Sequence, residues 1–278
     1  MELAEYVQWA RGAQPFSRLG FFSQPVKATS GPLAGKMLKV YPGLGQQDQA
    51  QRLQQLHHGY KVALAHTGRN IPETQMEIVE VGRQWVPLII QEAFELTELV
   101  RQRMEAIDEF SEYTRVLECV LADTLDYLRH RAAHPQPALG FHPTLRNYAL
   151  RGDELYYFDT FPPMNLPQPE LNQLIRQSLP QGWLRVLARI IPPILNRVSH
   201  EYYNPVAMVS GIVGSACRLR PEWSQESLAW CQGYLSEQGH SELPMEEILE
   251  KISAKPKLSK GWVVIRKLTN NVGKPNVS

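Results

Sequence analysis

The period of the hydrophobic pattern changes near residue 95, and this change leaves few architectures open to the chain. Before that point the apolar residues come in short β-favouring runs separated by Gly and Pro, with one long helical stretch among them. After it they recur at i, i+3 and i+4 over long spans, which is the signature of buried helices. Strands first and helices afterwards read as an α+β protein with a small antiparallel sheet and a mainly helical remainder. The length of 278 residues with 43% hydrophobic content supports a sizeable core and one or two domains. The expected division is a β-rich part over 1–94, a helical part over 95–250 and a basic segment over 251–278.

In chain order, Leu3, Tyr6, Val7 and Ala10 predict a short amphipathic helix. Leu19 to Ser23, Val26 to Thr29 and Lys36 to Tyr41 read as a three-stranded meander. In the last of these, Met37, Lys39 and Tyr41 fall on one face and Leu38 and Val40 on the other. A lysine so placed serves either as an edge-strand charge that deters aggregation or as a phosphate-binding ammonium in a cleft. Gln46 to Ala65 predicts a long helix with Leu53, Leu56, Tyr60 and Leu64 on one stripe, ended by Thr67-Gly68-Arg69-Asn70. His57 and His58 point about 100° apart on such a helix, so one is expected packed and one exposed. Glu73 to Glu80 and Trp85 to Phe94 predict two further strands. Leu96 to Ile107, Glu109 to Ala132, Glu170 to Leu179, Trp183 to Ser199, Asn204 to Leu219, Trp223 to Gln238 and Met245 to Ile252 predict helices. His130 and His134 stand at i and i+4, but Pro135 follows and a third ligand is missing nearby, so a fraying helix end is expected rather than a zinc site.

One stretch interrupts the helical half. Gly140 to Pro163 reads as a loop, a strand from Tyr148 to Leu150, a turn at Arg151-Gly152-Asp153-Glu154, and a strand from Leu155 to Phe158. Asn147 then precedes one strand and Asp159 follows its partner, at the same end of the hairpin. An amide oxygen and a carboxylate there could share a hard cation such as Mg²⁺, or both could simply be solvated.

Asn147 before a short hairpin and Asp159-Thr160-Phe161 after it resemble the catalytic loop and the metal-binding Asp-Phe-Gly segment of the protein-kinase-like superfamily, in particular its aminoglycoside-phosphotransferase and choline-kinase branch. The resemblance runs from about Arg18 to Gln238 and implies a two-lobed kinase-like fold that binds ATP and Mg²⁺. It implies Asn147 and Asp159 as metal ligands and Lys39, in Met37-Leu38-Lys39-Val40-Tyr41, as the lysine on the nucleotide phosphates. It also implies that the backbone of Gln91, Glu92 and Ala93 faces the adenine ring.

The chain departs from the pattern in four places. Asp159 is followed by Thr160 and Phe161 rather than by Phe-Gly. The family's catalytic Asp falls at His142, and no Asp or Glu occurs between Pro135 and Arg151. No Glu between Gly43 and Pro72 is available to pair with Lys39; Asp48, Gln54, Gln55, His57 or His58 could substitute. Phe21, Phe22 and Pro25 occupy the place of phosphate-loop glycines. A neutral imidazole at His142 suits the base of a phosphotransferase acting on a small hydroxylated or amine-bearing metabolite. The alternative is a pseudokinase that binds nucleotide or a partner without phosphoryl transfer. Tyr202, Tyr203, Trp183 and Trp230 are candidate pocket aromatics or core residues.

A net charge of +1 argues against nucleic-acid and membrane-surface partners. The N-terminus reads as no secretory signal, and no stretch approaches the roughly eighteen apolar residues of a membrane span. Three widely spaced cysteines suit a reducing cytoplasm. The 251–278 segment has no acid and several lysines, and reads as a solvated tail or an anion-binding arm.

Overall fold

The computed structural model describes residues 2–15, 23–177, 196, 199–238 and 243–253. The protein is α+β: a four-stranded antiparallel sheet early in the chain, and helices with one two-stranded hairpin later. Helix α1 (Leu3–Gly12) comes first, then β1 (Val26–Lys27), β2 (Met37–Val40), α2 (Gln47–His66), β3 (Thr74–Val81) and β4 (Gln84–Gln91). The strand order is β1-β2-β4-β3. The expected strand over Leu19 to Ser23 lies almost wholly outside the described residues. The strand expected to run to Phe94 stops at Gln91, where pairing to β2 and β3 ends.

The alternation of β2 sorts its side chains as the sequence predicts. Leu38 and Val40 join Tyr6 and Val7 of α1 with Val79, Val86, Leu88 and Ile90 on one face. Tyr41 joins Leu53 of α2, Met76, Ile89 and Phe161 on the other. The sheet is therefore covered by α1 on one side and α2 on the other, and Lys39 points with Tyr41 toward the α2 side.

Helix α2 links the sheet to the helical part through its buried stripe. Leu53 packs in the sheet-side cluster, whereas Tyr60 and Leu64 belong to the large helical core. That core gathers Val116, Leu117, Val120, Leu121 and Leu125 of α4 (Phe110–Ala133) with Val209, Ile212, Val213 and Ala216 of α6 (Pro205–Leu219). The helix expected from Leu96 shortens to α3 (Val100–Ala106), because residues 96–98 form turns first. The remaining described helices are α5 (Gln168–Gln177), α7 (Ser224–Glu237) and α8 (Met245–Ser253). Asn204 caps α6 by accepting from the Ala207 N–H at 2.8 Å, with Pro205 in the first turn. The predicted helix from Trp183 and nearly all of the basic C-terminal segment lie outside the described residues. No described helix is long and apolar enough to cross a membrane.

The hairpin pairs β5 (Tyr148–Arg151) with β6 (Glu154–Tyr157), in the register Tyr148 to Tyr157 and Arg151 to Glu154. Gly152 supplies the positive φ of 59° that the two-residue turn demands. Tyr148, Leu150 and Tyr157 face the helical core, so the hairpin is anchored from below and its open end is fixed in position.

Candidate functional site

The open end of the hairpin brings the predicted residues together around the backbone of one residue, Phe158. The Phe158 N–H donates to the Asn147 carbonyl at 3.0 Å, and the Phe158 carbonyl accepts from Lys39 Nζ at 3.1 Å and from Gln91 Nε2 at 3.0 Å. Asp159 is the next residue. Residues 39, 91, 147 and 159 thus meet at one junction between sheet and hairpin.

His142 lies on the same floor. Its Nδ1 stands 3.8 Å from Asp159 Oδ2, longer than a hydrogen bond. The Asn147 amide Nδ2 donates to the His142 carbonyl at 2.9 Å and lies 3.5 Å from His142 Nδ1. With its Nδ2 so engaged, Asn147 has its Oδ1 left as a hard acceptor. The His142 ring rests against Tyr202, with centroids 4.8 Å apart.

The electrostatics are those of a partly exposed ionic cluster. Asp159 is enclosed by protein yet keeps 31% of its side-chain surface open. Burial opposes its ionisation, but His142, Lys39 and Arg146 outweigh that and hold the carboxyl below its usual range. Burial pushes the Lys39 ammonium below its ordinary value, with Asp159 opposing. The ammonium also sits 5.5 Å from the Phe158 ring centroid.

Among the described residues, Lys39 has no carboxylate from α2 as a partner; its ammonium donates to the Phe158 carbonyl. From α2, His57 reaches this segment: it is buried and lies 2.9 Å from the Thr160 hydroxyl. Burial pulls its imidazole down to about 3, with Lys61, Lys39 and His58 acting in the same direction, so it is neutral at physiological pH. A neutral imidazole holds the segment after Asp159 against α2 while adding no charge beside Lys39. The stripe gave a signal for this: position 57 falls between Leu53 and Tyr60, and a histidine on an apolar stripe requires a polar partner. His58, its neighbour, is exposed.

The expected base-facing connection has a different role at its start. Gln91 is the last residue of β4, paired with Met37 and Thr74, and its side chain bonds Thr74 Oγ1 at 2.8 Å as well as the Phe158 carbonyl. The Glu92 N–H donates to the Glu73 carbonyl at 2.8 Å. Arg151 grips the same connection: it bonds Glu92 at 2.5 Å, Glu98 at 2.6 Å and the Ala93 carbonyl at 3.4 Å, and covers the Phe94 ring at 4.8 Å. Glu98 and Glu92 raise Arg151 further above its already high value. Sequence reading assigned Arg151 only to the turn, since its partners lie more than 50 residues away.

Other residues singled out in the sequence do not join the floor. His130 and His134 stack at the end of α4 with centroids 4.6 Å apart. Tyr203 donates to the Leu166 carbonyl at 2.7 Å, and Trp230 stacks on Tyr234. Trp183 lies outside the described residues. A separate cleft of about 540 Å³ opens between Gly43–Gly45 and α5, lined also by Gln49, Gln173 and Arg176, and contains none of the floor residues. Among the described residues, no three His, Cys, Asp or Glu side chains are grouped to hold a metal alone. Any cation at Asn147 and Asp159 would need a ligand's oxygens or water to complete its shell, as Mg²⁺ commonly does.

Fold and site together define an α+β protein with a partly exposed ionic cluster where its sheet meets a helix-anchored hairpin. The chain belongs to a family of unknown function (DUF6206), whose family model matches residues 2–273. No curated protein matches the chain.

Proposed function

We propose that this chain is a kinase-like phosphotransferase that uses ATP with Mg²⁺ and acts on a small hydroxylated or amine-bearing metabolite. The observation that carries the reading is the convergence of Lys39, Asn147, Asp159 and His142 on one partly exposed cluster around the Phe158 backbone. In this reading the sheet with α2 forms one lobe, the helices form the other, and the nucleotide lies between them. Lys39 neutralises the nucleotide phosphates. Asn147 Oδ1 and Asp159 would hold Mg²⁺, whose chemistry is to offset phosphate charge. The donors fit, since both are hard oxygens and the Asn147 nitrogen is already bonded to backbone.

His142 takes the acceptor's proton. Asp159 and Asn147 face its Nδ1, so Nε2 is the nitrogen left for an acceptor hydroxyl. As the hydroxyl oxygen bonds to the γ-phosphorus, its proton passes to Nε2, the bond from phosphorus to the β–γ bridging oxygen breaks, and ADP leaves. Base recognition shifts away from the expected backbone, because the Glu92 N–H and the Ala93 carbonyl are bonded within the protein. The same observation favours a second reading, a pseudokinase that binds a partner without phosphoryl transfer.

Calorimetric titration with ATP, with and without Mg²⁺, tests the reading. Binding is expected to need Mg²⁺ and to weaken more in Asp159→Ala than in His142→Ala. A folded wild type that takes up no Mg²⁺-ATP removes the phosphotransferase reading.

A further inference from the structure

The Phe158 carbonyl takes two side-chain donors that differ in how tightly they are held. Both come from one face of the sheet: Lys39 of β2 pairs with Ile89 of β4, and Gln91 of β4 pairs with Met37 of β2. Gln91 is 2% exposed, and its Nε2 donates to Thr74 Oγ1 at 2.8 Å and to the Phe158 carbonyl at 3.0 Å. The orientation of that amide is settled by its neighbour. The Thr74 hydroxyl gives its own hydrogen to the Pro72 carbonyl at 2.7 Å, so its oxygen can only accept, and a nitrogen rather than an oxygen must face it. Both hydrogens of Nε2 are thereby used, and the amide is fixed between strand and hairpin.

Lys39 is held less. Its ammonium bonds the same carbonyl at 3.1 Å from the end of a flexible stem, and the residue keeps part of its surface open. A carbonyl oxygen has two lone pairs and is satisfied by one donor. When the ammonium swings to an anion, Gln91 keeps the Phe158 carbonyl bonded and the backbone before Asp159 in place. Without the Gln91 amide, the same movement would strip the carbonyl of its side-chain donors, and Lys39 would be retained on it.

We propose that Gln91 is a positioning residue for Lys39: by keeping the Phe158 carbonyl bonded, it leaves the ammonium free to exchange that carbonyl for a ligand phosphate. That the ligand is a nucleotide rests on the phosphotransferase reading; the exchange itself does not.

The test follows Lys39 directly in the full chain. Acetic anhydride labelling without nucleotide, read by mass spectrometry and normalised to exposed Lys251, compares wild type with Gln91→Met, a substitution of similar volume, and with Gln91→Leu should the first not fold. Lys39 is expected to react about fivefold more slowly in the variant, the effect of one hydrogen bond that now has to be broken without a substitute donor. Lys61, which donates to the Thr74 carbonyl at the same strand end, should keep its wild-type rate. A merely structural role predicts the opposite, since a loosened strand end would speed the labelling of both lysines. A Lys39 rate equal to or above that of wild type overturns the proposal. Calorimetry with Mg²⁺-ATP then tests the ligand: Gln91→Met should weaken binding about fivefold, and much less in the Lys39→Met background. Equal losses in the two backgrounds overturn a role through Lys39. Slowed labelling in a protein that takes up no Mg²⁺-ATP keeps the exchange and removes the phosphotransferase reading.

Discussion

Acidification should destabilise this protein through His57 in a way that one substitution removes. His57 is 1% exposed, sits 2.9 Å from Thr160 Oγ1, and titrates at about 3 rather than 6.5 because burial disfavours its cation. Between those two values the unfolded chain binds a proton that the folded chain does not. Stability from this group is therefore complete above about pH 6.5 and declines as pH falls, by ~1.4 kcal/mol per unit once the unfolded imidazole is mostly protonated. From pH 7 to pH 5 the integrated loss is about 2 kcal/mol. Urea unfolding at the two pH values gives the free energies directly, provided the slope with denaturant is unchanged. His57→Gln retains a hydrogen-bonding amide toward Thr160 but does not titrate, so its loss over the same interval should be smaller by that amount. Equal losses in wild type and variant would refute the buried neutral imidazole.

Two further perturbations test how the floor is supported. Arg69 is 5% exposed, bonds the Thr67 carbonyl and hydroxyl at 2.7 Å and Asp123 through its carbonyl and carboxylate, and lies between the rings of Tyr127 and Phe141. Arg69→Met or Asp123→Leu alone should each cost about 3 kcal/mol or more by stranding the partner, while the double variant should recover most of the loss; additive losses in denaturant unfolding would refute the coupling. At Gly140 an added Cβ would meet Met164 Cβ and the Tyr203 ring at 3.0 Å, so Gly140→Ala should cost roughly 1–3 kcal/mol in the same assay, and an unchanged midpoint would refute the close approach.

The residues legible in the sequence are those whose meaning lies in local spacing. The alternation through Met37–Tyr41 fixes which way Lys39 points, and the two-residue turn at Gly152 fixes that Asn147 and Asp159 share one end of a hairpin. Neither needs knowledge of a distant partner. The α+β class follows from the same local periods. Arg146, Arg151 and Arg69 were not legible, because an arginine in a turn looks the same whether it is solvated or enclosed. Arg151 owes its role to Glu92 and Glu98, and Arg69 to Asp123, across 53 to 59 residues of chain. The start of α3 was misplaced because Leu96 and Leu99 continue an apolar period through turns. Glu95 and Leu96 accept backbone bonds there at i+3, so the helix begins only at Val100.

That α2 meets this segment with His57 rather than with a carboxylate sets how the cluster balances charge. A Glu beside Lys39 would neutralise it; a neutral imidazole bonded to Thr160 leaves the lysine to a backbone carbonyl and to Asp159. A carbonyl offers only a dipole, so the Asp159 carboxylate is the negative charge that acts on the ammonium. Carboxylates do occur nearby, but Arg151 binds Glu92 and Glu98 along the connection, so they are paired rather than free to offset that charge. The same physical logic accounts for the burial of a lysine without a carboxylate from α2: its ammonium is held by a backbone carbonyl and offset by the nearby Asp159 carboxylate.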